Sequence, residues 1–141
     1  EGGGLASSVR AALQNAEPLL FKALRNLCQH EVQVKVQLVP HVARLVHVLK
    51  DPQTTSDLMV EVLGSLGNMN VTQVDYGKLV QEHRLLPFIS SLLQPGVVED
   101  DILLEAVIFV GTLCTAGTAE AVADAGTVAT LRRLHHLQPQ Q

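Results

Sequence analysis

The chain has 141 residues and a formal net charge of −4; 47% of it is hydrophobic and only 3% aromatic, with no Trp and one Tyr. An acidic balance argues against nucleic acid as a partner, since phosphate binding needs a basic face, and so few aromatic rings leave no platform on which bases or sugars stack. The core must be built from Leu, Val and Ala, which suits stacked helices.

In chain order, Glu1 to Gly4 reads as a flexible lead, and Leu5, Val9 and Leu13 then step by four along a short helix ending near Gln14. Asn15, Ala16 and Glu17 turn into Pro18, a residue suited to the first helical position. PLLFKALRNLCQH, Pro18 to His30, is the next helix and exposes Lys22, Arg25, Asn26 and Gln29. Glu31 to Val39 alternates apolar and polar residues strictly, which taken alone reads as a strand. It has no partner strand, so a short helix is expected instead. PHVARLVHVLK, from Pro40, sets Val42, Leu45, Val46 and Leu49 on one face and stops at Asp51-Pro52.

Ser56 to Asn70, SDLMVEVLGSLGNMN, leaves a narrow polar strip of Asp57, Glu61, Gly64/Ser65 and Asn68; the rest of its circumference is apolar. Such a helix must lie between neighbours on both sides. Val74 to Arg84 follows, entered through Thr72-x-x-Asp75 in the pattern of a capping box. LLPFISSLLQ, Leu85 to Gln94, is stopped by Pro95-Gly96, and DDILLEAVIFVGTLCT, Asp100 to Thr115, is a second strongly apolar helix. Ala119 to Ala125, closed by Gly126, and Thr127 to Leu137 complete the series.

These elements repeat. Asn26, Asn68 and Thr112 recur at steps of 42 and 44 residues, and Leu45, Ile89 and Leu131 at steps of 44 and 42. Two elements sharing one period indicate an all-α armadillo-repeat right-handed superhelix, an α-solenoid of about three repeats. The repeats divide as 1–30 (partial), 31–70, 71–116 and 117–141 (partial). A chain this short is expected to be part of a longer array, because the ends of an array need polar caps.

The longest apolar stretch, Ile102 to Val110, carries Glu105 and is well short of the roughly 20 residues of a membrane span. No secretory leader is evident at the start, so a soluble, intracellular protein without membrane insertion is expected. Cys28 and Cys114 fall two repeats apart, too far for a disulfide, and are expected as free, buried thiols.

No arrangement for catalysis stands out. Cys28 and His30 point apart on a helix, the glycines build no phosphate loop, and the six histidines contain no i, i+4 pair for a metal. An enzyme, a metal site, a cofactor and a small-molecule substrate are not expected. Glu99, Asp100 and Asp101 read most simply as charges at a helix N-terminus, and alternatively, with Glu99 and Asp100 as loop contacts, as a docking point for a basic partner. The polar strip on the third helices of the repeats offers Lys22, Arg25, Asn26 and Gln29, then Asp57, Glu61 and Asn68, then Asp101, Glu105 and Thr112. Either it is a solvated stripe, or its asparagines clamp the backbone of a partner segment whose register the charges select.

The residues also resemble a known family. EGGGL and PLLFKALRNLCQH, with Arg25-Asn26 and Gln29-His30, are followed by Glu61, Leu63-Gly64 and Asn68, then by Val74-Asp75-Tyr76 running to Leu86-Pro87. The most specific stretch is Pro95-Gly96-x-x-Glu99-Asp100-Asp101, with Leu104-Glu105 and Gly111-Thr112 after it. Together they resemble the kinesin-associated proteins, the non-motor armadillo-repeat subunits of heterotrimeric kinesin-II. The chain departs from that pattern at Glu31 to Val39, at Tyr76, where the family carries Trp, and at the closing LQPQQ.

The resemblance implies a non-enzymatic adaptor that joins kinesin motor-subunit tails to cargo adaptors for microtubule-based, intraflagellar transport. It places the protein in the cytoplasm, on the cytoskeleton and in the cilium or flagellum. Two rivals are a nuclear-import adaptor and a regulatory subunit of an enzyme complex. The first uses a Trp and Asn ladder, and this chain has no Trp.

Overall fold

Ala, Leu and other strong helix formers dominate the first thirty residues, and the computed structural model, which describes residues 3–124 and 126–136, runs them as one helix, α1, Gly3–His30. The turn expected at Asn15 to Pro18 does not form; Pro18 lies inside the helix. An internal proline forfeits one backbone bond at a cost of about 3 kcal/mol. Good helix formers on both sides and the packing of Phe21, Leu24 and Cys28 into the core offset it. Glu1 and Gly2 of the expected lead lie outside the described residues.

The alternating segment is helical, as the repeat frame requires: α2 spans Val32–Leu38. A short 3-10 turn, Val39–His41, leads into α3, Val42–Lys50, which buries Val42, Leu45, Val46 and Leu49. The central helix α4, Ser56–Gly67, starts at Thr55, whose side chain accepts from the Leu58 amide. Next come α5, Tyr76–Glu82, and α6, Leu85–Leu92. The α5 cap is Asp75 itself, which accepts from the Lys78 N–H at 3.0 Å. Thr72, expected to open a capping box, sits one turn too early. Arg84 carries φ 47 between α5 and α6, a left-handed conformation that non-glycine residues rarely adopt.

Helix α7, Asp100–Leu113, continues through a π-helical turn, Cys114–Thr118, into α8, Ala119–Asp124. Gly117, at φ 90, bends the chain there. Gly126, at φ 75, precedes α9, Thr127–His136. Ala125 and Leu137, assigned to these two helices from the sequence, lie outside the described residues. All the described elements are helices, and the protein is all-α.

Helix α4 lies between α1 and α7, and among the described residues these are the two most extensive helix contacts. The expectation of a central helix flanked on both sides is met. Val62, Leu63 and Leu66 are fully buried, and so are Gly64 and Ser65, which the sequence placed on a wet strip. The strip is dry there because α1 covers it. In turn, α3 packs on α4 and α6 on α7.

The far end of α4 is closed by Tyr76. Its phenol donates toward the carbonyls of Leu66 and Met69, at 3.1 and 2.8 Å, and its ring meets Phe109 edge-on. The last carbonyls of a helix have no intrahelical donor, and Tyr76, at the start of α5, supplies one. Tyr76→Phe is expected to cost about 1–2 kcal/mol in urea unfolding. Burial pushes the phenol pKa up, so the wild type sheds stability as pH rises past the ordinary tyrosine value near 10. The Phe variant lacks that part of the slope.

By length and composition the helical run Asp100–Ala123 is apolar enough to cross a membrane, a longer stretch than Ile102 to Val110. Within the fold, Ile102, Phe109, Val110 and Leu113 face the core, and the bend at Gly117 interrupts the run.

Candidate functional site

Three helices side by side bring their polar positions into one row. Asp57 and Glu61 on α4 recur 44 residues later as Asp101 and Glu105 on α7. At their N-terminal ends an open groove of about 300 Å³ is lined by Pro18, Leu19, Lys22, Asp57, Val60, Glu61, Glu99 and Asp101. Three of these residues are apolar, and the rest are four carboxylates and one ammonium. Glu99 precedes α7 without a side-chain capping bond. Of the capping explanation, only the favourable charge of Asp100 and Asp101 at the dipole remains.

Behind the groove the row is knotted together. The Arg25 guanidinium bonds Glu105 of α7 and lies 3.7 Å from Glu61 of α4, so one side chain from α1 spans both other helices. Glu105 is buried, its side chain 8% exposed, against 26% for Arg25 and 16% for Glu61. Glu61 Oε2 is buried with no hydrogen-bond partner among the described residues. Arg25 reaches across because Gly64 leaves room: a Cβ there would sit 2.7 Å from Arg25 Cδ and nearer still to Nε.

The ten strip residues therefore separate. Lys22, Asp57 and Asp101 are exposed and line the groove, whereas Asn26 and Gln29 are exposed without lining it. Asn68 is half-buried as the C-cap of α4. Thr112 donates its hydroxyl to the Gly67 carbonyl at 2.6 Å, tying α7 to α4. Glu105, read from the sequence as facing solvent, is instead turned inward on Arg25. Its periodicity was correct; a neighbour's arginine decided its burial. Glu99 and Asp100 are exposed at the mouth of α7, Glu99 within the groove lining.

The free thiols are Cys28, which is buried, and Cys114, which is only half-buried. Burial raises the Cys28 pKa, with Lys35 opposing weakly, so it is a poor nucleophile. Among the described residues no three His, Cys, Asp or Glu side chains converge as metal ligands.

The groove crosses three helices, and two of its carboxylates, Asp57 and Asp101, stand 44 residues apart. The model of the family described as Kinesin-associated protein (KAP) matches residues 1–141. The chain belongs to the kinesin-associated protein family. No solved structure matches it.

Family membership agrees with the resemblance carried by the PGxxEDD loop, and that loop delivers Glu99 and Asp101 to the groove. Pro18, Leu19 and Val60, the apolar part of its lining, were not singled out from the sequence. One signal for them existed: Val60 occupies the repeat position of Pro18, and Glu61 that of Leu19, each 42 residues on.

Proposed function

We propose that this member of the kinesin-associated protein family is an adaptor that performs no reaction and docks protein segments along its third helices. Its repeats stack as an armadillo-type superhelix, with α1, α4 and α7 on the inner wall. The groove receives a basic stretch of a kinesin motor-subunit tail, and other surfaces carry cargo adaptors for microtubule-based transport, including transport in cilia and flagella. Its place is then the cytoplasm and the cytoskeleton, with no insertion into a membrane.

The observation that carries this reading is the groove's composition: Asp57, Glu61, Glu99 and Asp101 line it together with one lysine and three apolar residues. Charge complementarity of that kind selects a cationic partner and its register, and side-chain pockets along helices hold extended or helical segments.

Purified motor-tail fragments titrated onto the chain provide the test. Asp57→Lys with Asp101→Lys is expected to weaken binding by about tenfold, about 1.4 kcal/mol, and added salt is expected to weaken the wild type more than the variant. Tail fragments that do not bind, or that bind the variant equally at every salt concentration, refute the proposal. Asn26→Ala with Asn68→Ala tests the backbone clamp separately.

A further inference from the structure

The cations of this acidic chain are not spread evenly. Arg44, His47 and Lys50 follow one another at three-residue intervals on α3, all exposed, a spacing that keeps neighbours on one side of a helix. At the corner between α5 and α6 stand His83 and Arg84. Two contacts join these sets into one ridge. The His83 ring meets that of His47 edge-on, with centroids 5.2 Å apart, and the Lys50 ammonium donates to the His83 carbonyl. Among the described residues Arg44, Lys50 and Arg84 form no ion pair.

Local structure does not account for two of these charges. His47 and Lys50 suit the last turn of α3, where the dipole favours a cation. Arg44 in the first turn of that helix, and Arg84 directly before α6, sit at N-terminal ends, where the dipole opposes one. Arg84 also holds φ 47 just past the C-cap of α5, a position at which glycine is the usual residue. An arginine kept in a left-handed conformation and against a helix dipole is strain of the kind that binding sites retain.

Beside the ridge lies a second open groove, of about 200 Å³, between the 3-10 turn and α5; His83 lines it together with Val39, Pro40, Val74 and Leu79. Its two carboxylates are engaged within α5. Asp75 caps the helix through the Lys78 amide, and Glu82 lies 3.8 Å from the Lys78 ammonium. The ridge thus offers cationic N–H donors, and the groove offers apolar surface. A lipid surface or a nucleic-acid backbone would use only the first; a peptide uses both.

We infer that this ridge and groove dock an acidic segment of a partner protein, its carboxylates against Arg44, Lys50 and Arg84 and an aliphatic side chain in the groove. The ridge selects an anionic occupant, whereas the groove across α1, α4 and α7 selects a cationic one, so the inference does not rest on tail docking. Its residues lie between Val39 and Arg84, on elements with further helices on either side in sequence.

The probe is a short labelled peptide rich in Glu and Asp with one central Leu, titrated onto the purified chain by fluorescence anisotropy. Saturable binding that weakens with added salt is expected, and Arg44→Glu is expected to weaken it about tenfold. Arg84→Gly is the sharper variant. It relieves the left-handed strain, so binding is expected to fall about threefold while the urea midpoint stays level or rises, a pair of results that misfolding does not produce. A peptide with Ser in place of its Leu is expected to bind less tightly. Absence of binding, wild-type affinity in both variants, indifference to the Leu, or equal affinity for a single-stranded oligonucleotide or phosphatidylserine vesicles would overturn the inference.

Discussion

Arg25→Ala is expected to destabilise the protein by about 3 kcal/mol, because it strands Glu105, buried in the contact between α4 and α7, without its counter-charge. Arg25 bonds Glu105 and approaches Glu61, so its loss leaves two carboxylates facing each other across the helix seam. Urea unfolding followed by circular dichroism measures the effect. Adding Glu105→Gln to the Arg25→Ala chain is expected to recover part of the loss, since a neutral amide costs less to bury than a lone carboxylate. A single variant within about 0.5 kcal/mol of wild type, the range of ordinary surface changes, would show that the triad does not hold the three helices together.

Phe109→Ala should be at least as damaging, at about 3–5 kcal/mol. The ring is fully buried on α7, lies edge-on to Tyr76, and belongs to the segment whose backbone passes 3.9 Å from where a Cβ on Gly67 would stand. Two helices separated only by glycine and a tight hydroxyl-to-carbonyl bond from Thr112 have little slack to refill the hole. The same urea experiment decides it, and a loss below about 1 kcal/mol would mean that α4 and α7 close over the gap.

Much of the architecture was legible because helix patterning is local. The face Val42, Leu45, Val46 and Leu49 follows from spacing, and it is the buried face of α3. Recurrence at 42 and 44 residues turned the alternating Glu31 to Val39 from an apparent strand into a helix, a conclusion that periodicity within the segment would have reversed. Pro18 misled for the opposite reason. A proline's local preference for a helix start is worth only a few kcal/mol, and the contacts of Phe21, Leu24 and Cys28 with the core are made elsewhere in the chain.

For the site the division is similar. Asp57, Asp101 and Glu99 reach the groove at the ends the sequence assigned them, because charges beside a helix N-terminus are placed by the helix itself. The fate of Glu105 was not legible: its repeat equivalent Glu61 is 16% exposed and Glu105 8%, and it is Glu105 that takes the direct bond of Arg25, which reaches it over Gly64.

By itself, then, the sequence determined most of the helices, which positions recur, and which family the chain resembles, since each depends on intervals along one strand of polymer. Only the tertiary structure decided that the polar row is part groove and part buried ion cluster. Burial is a property of neighbours, and the neighbours here stand some forty to eighty residues away.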